Sequence, residues 1–162
     1  MTQAPDFMRP ARAIDHDAID ALLRAAFPTP AEAALVQSLR AADQIEVELV
    51  MPWPAGLVGY LALSRMEAPS GWLALAPVAV APAWQGKRLG SRMVAGALRL
   101  MAIKGVTTVV LGSPSFYARA GFSLTRASHL TSPFPLDHTL IARPGMDGPR
   151  DTLIYPAAFA QV

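Results

Sequence analysis

Cysteine and asparagine are absent from this 162-residue chain, and lysine occurs only at Lys87 and Lys104. Without cysteine the protein has no disulfide, no thiolate metal ligand and no cysteine nucleophile. The absence gives no indication of whether the protein works in an oxidising or a reducing compartment. The three histidines lie at sequence separations that fit no metal-ligand template. The sequence therefore predicts no metal site.

Long apolar runs and targeting signals are missing as well. No stretch of about 18 uncharged apolar residues occurs, so no membrane-spanning helix is predicted. The N-terminus carries Asp6, Arg9 and Arg12 and lacks the apolar core of a signal peptide. A cytoplasmic location is the default expectation.

The bulk composition indicates one folded domain. Hydrophobic residues make up 52% of the chain and charged residues 16%, which argues against disorder. The formal net charge is only +2, and the stripe of Arg88, Arg92 and Arg99 has no interleaved aromatic residues. We therefore predict a solvated helix face there and no nucleic-acid partner. The absence of GxxxxGK[ST] and GxGxxG speaks against a P-loop or a dinucleotide-binding domain.

Hydrophobic periodicity predicts a strand, two helices, an antiparallel meander and then a crossover unit. Gly105 is placed to end the helix of that crossover unit. The tail holds three more strand candidates between segments rich in Pro, Gly and Ser. In chain order the predicted elements are a strand at Phe7–Ala13, helices after Asp15 and at Pro30–Ala42, strands at Glu46–Met51, Leu57–Met66 and Trp72–Ala81, a helix at Leu89–Lys104, a strand at Val106–Leu111, a short helix before Gly121, and strands at Phe122–Thr125, His138–Arg143 and Thr152–Tyr155.

The stretch Leu75–Ser91, read LAPVAVAPAWQGKRLGS, carries the strongest functional signal. Pro77 lies inside a predicted strand, and a proline there removes a ladder donor and suggests a bulge or a splay. The backbone groups of Val78–Val80 are then free to pair with something other than a strand. The turn Gln85–Gly90 meets a helix N-terminus, which is a favourable seat for a phosphate.

The segment VAVAPAWQGKRLGSRMV and the later FYARAGF resemble the GNAT superfamily of N-acetyltransferases, in particular a small bacterial branch of predicted acetyltransferases. The resemblance covers most of the chain up to about Phe122. It implies an α/β fold with a mixed, mostly antiparallel central sheet, flanked by helices and splayed between Trp72–Ala81 and Val106–Leu111. Residues 1–122 would form the cofactor-binding core, and residues 123–162 would line the acceptor side with strands and Pro-rich loops.

The resemblance also implies acetyl-CoA as co-substrate and a set of residues that bind it. Val78, Ala79 and Val80 would pair with the pantetheine arm. Lys87, Arg88 or Arg92 would meet the 3′-phosphate. Arg88 stands where the family usually has a glycine, and we expect its backbone amide to replace that glycine if its φ is negative. The amides that would cradle the pyrophosphate belong to Gln85, Gly86, Lys87, Arg88, Leu89, Gly90 and Ser91.

Tyr117 aligns with the tyrosine that protonates the departing CoA thiolate in many family members. The implied reaction is direct transfer of an acetyl group to a primary amine of a small molecule or a peptide. A packing role for Tyr117 stays an alternative. The asparagine that often contacts the pantetheine in the family is absent, so Ser113 or Ser115 would replace it, or nothing does.

The sequence identifies no general base, because Trp72–Ala81 contains no ionisable side chain. Glu32 has a sufficient structural explanation as the N3 residue of a capping box that starts at Thr29, so a role as general base is the less favoured alternative. Glu46 and Glu48 fit the solvent-exposed face of a strand, and His129 and His138 lie in the tail. Water is a further alternative, as the relay that carries the proton away from the amine.

The acceptor should bind between the Phe27–Thr29 loop and Thr131–Pro135, where Phe134 and Phe116 suggest an apolar wall. Both aromatic residues are explained as well by a role in the core. The rival hypothesis is a non-catalytic acyl-CoA-binding sensor or interaction module. A homodimer stays open.

Overall fold

The computed structural model describes residue 5 and residues 7–161, and within them four α-helices flank a six-stranded sheet. The strands lie side by side in chain order, and all neighbours are antiparallel except β4 and β5, which are parallel. This confirms the predicted fold class. The elements are β1 Arg9–Pro10, α1 His16–Ala26, α2 Ala31–Ala41, β2 Ile45–Trp53, β3 Gly56–Arg65, β4 Leu73–Val80, α3 Leu89–Lys104, β5 Thr108–Leu111, α4 Pro114–Ala120 and β6 Thr139–Ala142.

The sheet opens between β4 and β5, as the resemblance implied. The two strands pair only from Leu73 to Leu75 on β4, opposite Thr108 to Val110 on β5. Beyond Leu75, β4 keeps β3 as a neighbour and has no strand partner on its other side within the described residues. The second half of β4 therefore presents a free edge.

A bulge in β4 lies where Pro77 predicted an irregularity. Leu63 pairs with Leu75 and Leu61 pairs with Val78, so Ala76 and Pro77 together oppose the single residue between Leu61 and Leu63. An extra residue shifts the alternation of a strand by one position. Because of this shift, Val78 and Val80 pack against the same core cluster as Leu75.

The core is divided by the sheet into two faces. One face packs against α3 and α4, with Met93, Val94 and Ala97 of α3 fully buried there. The other face packs against α1, α2 and the C-terminal tail. No helix in the described part of the chain is long and apolar enough to cross a membrane.

Two of the predicted tail strands are wrong. Phe122–Thr125 and Thr152–Tyr155 form only isolated bridges, at Ser123, Thr152 and Ile154. The first cannot continue because a turn follows at once: the N–H of Ala127 donates to the carbonyl of Leu124 at 3.2 Å. The remaining candidate, His138–Arg143, is strand β6 over Thr139–Ala142.

Candidate active site

The open edge of β4 forms one wall of a cleft of about 270 Å³, which we call the front cleft. The end of α1 and the start of α3 close its sides, and α4 lies across from β4. Its lining from β4, α3 and α4 belongs to the α3 face of the sheet, whereas Ala26 and Phe27 come from the end of α1, which packs on the other face. Its lining residues are Ala26, Phe27, Val78, Val80, Trp84, Gln85, Gly86, Leu89, Gly90, Phe116 and Tyr117.

The backbone of β4 offers hydrogen-bonding groups to this cleft. The N–H of Ala81 donates to the carbonyl of Val58 on β3 at 2.9 Å. Antiparallel pairs alternate, so Ala79 also turns its backbone groups to β3, and Val78 and Val80 turn theirs to the open side. The side-chain amide of Gln85 donates to the carbonyl of Val80 at 2.9 Å, in agreement with that direction.

The side chain of Gln85 therefore satisfies the carbonyl of Val80 on the open edge and links the turn to β4. The N–H and carbonyl of Val78 and the N–H of Val80 have no strand partner within the described residues. Ala79 contributes no side chain to the front cleft, because its side chain is buried on the opposite face against α1.

The turn before α3 has a left-handed backbone at two positions. Gly86 has φ 77° and Arg88 has φ 64°. The condition set for Arg88, a negative φ, is therefore not met: the turn requires the left-handed conformation there, which is why glycine suits this position. A non-glycine residue in this region costs about 1–2 kcal/mol. The amide N–H groups of Leu89–Ser91, in the first turn of α3, lack helical acceptors and carry the positive end of the helix dipole.

The cationic side chains near the turn lie outside the front cleft. Lys87, Arg88 and Arg92 are all exposed. The ammonium of Lys87 lies over the ring of Trp84, 5.0 Å from its centroid. Ser91 is half-buried and does not line the cleft. These residues surround the mouth rather than the interior.

Tyr117 lies in the wall of the front cleft. Its ring makes edge-on contacts with Phe116 and Phe122, with centroids 4.9 and 5.7 Å away. A Cβ on Gly112 would lie 2.5 Å from Cε2 of Tyr117, so the absence of a side chain there makes room for the ring. Burial raises the pKa of Tyr117. The phenol is therefore protonated at neutral pH and able to donate.

The short helix α4 begins with a polar cap. Ser113 accepts a hydrogen bond from the N–H of Phe116 at 3.4 Å, and its hydroxyl lies 3.2 Å from that of Ser115. Both serines are exposed and neither lines the front cleft. Ser113 is explained as the N-cap that fixes the start of α4.

The carboxylates of β2 are engaged in ion pairs. Glu46 pairs with Arg65 at 2.7 Å on the surface, as expected for a wet strand face. Glu48 differs: its Oε1 accepts from Arg40 at 2.5 Å and from the hydroxyl of buried Tyr60 at 2.6 Å. The prediction of a solvated side chain is wrong for Glu48, because Tyr60 on the neighbouring strand β3 donates a hydrogen bond to it.

The capping box predicted for α2 is also wrong. The hydroxyl of Thr29 accepts from the N–H of Ala31 at 3.3 Å, but the side chain of Glu32 makes no return bond. Its Oε2 is buried without a hydrogen-bond partner. His129 and His138 are exposed. None of these groups lines the front cleft, which has no carboxylate or imidazole in its described walls.

Sequence reasoning missed Ala26 and Trp84, which line the cleft. Phe27 and Phe116 line it as well, although the sequence predicted them on the acceptor side. Phe27 begins the loop expected to rim a cleft, and Trp84 directly precedes the predicted turn, so position along the chain was the available signal for both. The bond from Gln85 to Val80 had no such signal, because it joins a turn side chain to a carbonyl five residues back.

A second cavity lies on the other face of the sheet, just before the splay. This back cavity has a volume of about 230 Å³. It takes Ala74, Leu75 and Ala76 from β4, while the front cleft takes Val78 and Val80, so the two spaces meet the same strand on either side of the bulge. The remaining lining residues are Leu35, Val109, Leu111, Phe134, Tyr155 and Phe159.

Comparison with known proteins gives consistent matches. Residues 16–122 match the profile described as the acetyltransferase (GNAT) family. The chain is similar to the uncharacterized N-acetyltransferase YhbS of Escherichia coli K12, with 35% identity over 127 residues that cover 75% of this chain and 76% of YhbS. The crystal structure of Escherichia coli YhbS in complex with CoA has a TM-score of 0.85 at 29% identity and covers 99% of this chain and 95% of its own. A GNAT family acetyltransferase from Brucella melitensis in complex with acetyl-CoA has a TM-score of 0.79 at 28% identity, with 94% and 97% covered.

Proposed function

This chain belongs to the acetyltransferase (GNAT) family, and on that premise we propose that it transfers an acetyl group from acetyl-CoA to a primary amine. The observation that carries the proposal is the front cleft. One short segment there offers a free strand edge and a helix N-terminus, and Tyr117 stands in the opposite wall.

The front cleft suits an extended, phosphate-bearing cofactor. The N–H and carbonyl of Val78 and the N–H of Val80 would pair with the amide groups of pantetheine, as a strand would. The amides of Gln85–Ser91 would hold the pyrophosphate at the helix N-terminus. Lys87, Arg88 and Arg92 at the mouth would meet the 3′-phosphate. Ala79 supports cofactor binding only indirectly, because it joins Val78 to Val80 in the strand.

The proposed reaction is a direct attack. The neutral amine nitrogen forms a bond to the thioester carbonyl carbon, and a backbone N–H on the open edge of β4 stabilises the oxyanion. The carbon–sulfur bond then breaks, and the phenol of Tyr117 gives its proton to the departing thiolate. The amine gives up one proton to water, and the phenolate of Tyr117 takes one proton back from solvent, so the acid is restored. The products are the N-acetylated amine and CoA.

The two halves of the chain take separate tasks in this proposal. Residues 1–122 supply the cofactor-binding core, and residues 123–162 supply part of the acceptor side. The support for this division is that Phe134, Tyr155 and Phe159 from the tail line the back cavity. A homodimer and a cytoplasmic location stay predictions.

A second candidate function is a non-catalytic acyl-CoA sensor. The specific observation in its favour is that no carboxylate or imidazole lines the described walls of the front cleft. Tyr117 is the observation against it, because a sensor needs no buried proton donor there.

One measurement tests both candidate functions, and a second separates the enzyme from the sensor. Both predict that acetyl-CoA raises the thermal midpoint, since a ligand at a hundredfold excess over Kd stabilises a protein by about 2.7 kcal/mol. The absence of any shift with CoA and acetyl-CoA would contradict both. Only the enzyme releases CoA thiol when amines are added, so binding without release across a broad amine panel would favour the sensor.

A further inference from the structure

The back cavity is closed by side chains from both halves of the chain. Leu35 of α2 and Val109 and Leu111 of β5 form part of its wall. Phe134 and Phe159 of the tail cover it from outside the sheet. Its floor is β4 at Ala74–Ala76, ending in the bulge of Ala76 and Pro77 that starts the free edge. A molecule in this cavity would therefore reach the splay from the side opposite to the front cleft.

None of the residues that line the back cavity carries a charge. An ammonium group buried among such residues loses its hydration without gaining a partner. Burial of this kind lowers the pKa of an amine and favours the neutral form, which is the form that attacks a thioester. A cavity with this lining would favour the neutral form of a bound amine, which is part of the task of a general base, and would disfavour acceptors that carry several positive charges.

One polar atom in the cavity wall is poorly satisfied. Tyr155 is only 9% exposed, and its hydroxyl oxygen is buried without a hydrogen bond of normal geometry, although the Ser132 hydroxyl lies near enough to lower its pKa. The ring is held by Phe134 and Phe159, with centroids 5.0 and 5.4 Å away. Buried hydroxyls in native proteins are normally satisfied. An unsatisfied one in the wall of a cavity indicates a place for a ligand atom.

Tyr155 is a neutral donor at physiological pH. Burial raises the pKa of Tyr155 to about 12, against a smaller opposing effect of the Ser132 hydroxyl. A phenol of this kind would donate to, or accept from, one polar substituent of the ligand.

We propose that the back cavity binds the acceptor, and that the acceptor is a small monoamine with an apolar, ring-sized body and one hydrogen-bonding substituent that meets the hydroxyl of Tyr155. This inference rests on the proposed acetyl transfer, whose acceptor it specifies. Polyamines and lysine-rich peptides are excluded as acceptors by the uncharged lining. Tyr155 is a specificity-determining residue in this proposal and takes no part in the bond changes.

The volume agrees with this class of acceptor. An apolar cavity of about 150 Å³ holds one benzene molecule. The back cavity, at about 230 Å³, has room for a ring with a short aminoalkyl arm. The arm would extend along Ala76 towards the splay, where the thioester of a cofactor in the front cleft would lie.

Amine binding to the CoA-saturated protein tests the cavity without requiring turnover. Titration calorimetry is carried out with 2-phenylethylamine and with spermidine. We expect 2-phenylethylamine to bind at least about tenfold more tightly, because spermidine must bury further charges. Spermidine or a lysine-containing peptide binding as tightly as 2-phenylethylamine would overturn the proposal.

Leu35→Phe adds a larger side chain to the cavity wall and should weaken the binding of 2-phenylethylamine by at least about tenfold. Leu100→Phe is the matched control, because Leu100 is 44% exposed on α3. Equal affinity of the Leu35 variant and the control would overturn the placement of the acceptor. Far-UV circular dichroism establishes that both variants are folded, and Tyr155→Phe serves as a milder second variant.

Tyr155→Phe removes only the hydroxyl. Its effect is measured as a change in the preference for tyramine over 2-phenylethylamine and not as a general loss of amine binding. The wild type should bind tyramine, the hydroxylated analogue, about three- to tenfold more tightly than 2-phenylethylamine. The variant should lose that preference and keep its affinity for 2-phenylethylamine. An equal preference in both proteins, or none in the wild type, would overturn the role of Tyr155.

Failure of this inference is distinguishable from failure of the proposed function. If 2-phenylethylamine binds and no CoA is released from acetyl-CoA, the cavity assignment stands and the transferase proposal fails. If spermidine is acetylated and the apolar amines neither bind nor react, the transferase proposal stands and the cavity assignment fails.

Discussion

The front cleft and the back cavity lie on opposite faces of one sheet and are built in different ways. The front cleft takes most of its lining from one continuous segment, Val78–Gly90, whose backbone supplies the free strand edge and the helix N-terminus, and residues at the end of α1 and in α4 complete it. The back cavity is made of side chains from segments spread between Leu35 and Phe159. Backbone groups are the same in every sequence, whereas side chains vary. We infer that the front side is built for a shared cofactor and the back side for a particular acceptor.

The largest effect should follow from filling the front cleft. A Cβ on Gly90 would lie 3.5 Å from the side chains of Phe116 and Val80, which is ordinary contact. A longer side chain at this position extends into the cleft. We expect Gly90→Leu to weaken acetyl-CoA binding by about a hundredfold or more, since both steric volume and access to the helix N-terminus are lost.

The comparison between the two sides supplies the control for this variant. Leu35→Phe on the back side should leave the Kd for acetyl-CoA unchanged, as measured by calorimetry without amine. If the back variant lost acetyl-CoA affinity as strongly as Gly90→Leu, the two spaces would not be separate sites.

The next effect concerns the position of the proton donor. Gly112→Ala places a methyl group 2.5 Å from Cε2 of Tyr117, so the ring must move. Misplacement of a reacting group by about 1 Å costs up to about a hundredfold in rate. We expect kcat to fall by about ten- to a hundredfold while the Kd for acetyl-CoA changes by less than about threefold.

Ser113→Ala is the matched control for this variant, because it removes the cap of the same helix without touching the ring. It should lower the thermal midpoint and leave kcat near that of the wild type. An unchanged kcat in Gly112→Ala would show that the position of Tyr117 is irrelevant to the reaction.

A smaller effect tests the backbone of the front side. Arg88 adopts φ 64°, so Arg88→Gly should stabilise the fold by a net amount of about 0.5–1 kcal/mol, after the extra flexibility of glycine is subtracted. Lys87→Gly removes the same charge at a position without a positive φ and should destabilise the fold. Urea unfolding measures both, and a loss of stability in the Arg88 variant would contradict the strain described for this turn.

The smallest effect lies away from both sites. Two hydrogen bonds from Arg9, at 2.8 and 2.9 Å, and one from the N–H of Arg12 hold the pKa of Asp15 well below its usual range. The stability from this group is present above the unfolded pKa of about 3.9 and is lost as the pH falls below it.

Asp15→Asn should therefore be less stable than the wild type at pH 7, and the difference in unfolding free energy between the two proteins should be smaller at pH 3. Asp17→Asn, at an exposed carboxylate in the first turn of α1, should show little of either effect. Urea unfolding at the two pH values measures the gap, and a constant difference would exclude the ion pair as its source. Acetyl-CoA affinity at pH 7 should be the same in all three proteins.

Much of the front side was predictable because its signals are local. Pro77 indicated the bulge, the turn before Leu89 indicated the start of α3, and the Gly105 C-cap fixed the end of that helix. Arg88 was misread because sequence alone does not reveal that a turn forces a positive φ on a residue other than glycine.

The back side was mostly hidden for a physical reason. Phe134 was recognised as a candidate wall residue, but Tyr155 was placed in a strand that does not form. The contacts of Tyr155 with Phe134 and Phe159 come from tail segments linked by single bridges, which have no periodicity to detect. The buried bond from Tyr60 to Glu48 was missed in the same way, because it crosses between two strands.

The central claim is that the front cleft carries out acetyl transfer with Tyr117 as the proton donor, and Tyr117→Phe tests it most directly. The measurement is the rate of CoA-thiol release at saturating acetyl-CoA with an amine that the wild type accepts, together with the Kd for acetyl-CoA. We predict that kcat falls by about 10²–10⁴-fold while the Kd stays nearly unchanged, since the ring is kept and only the acid is removed. Full activity in Tyr117→Phe would contradict the claim.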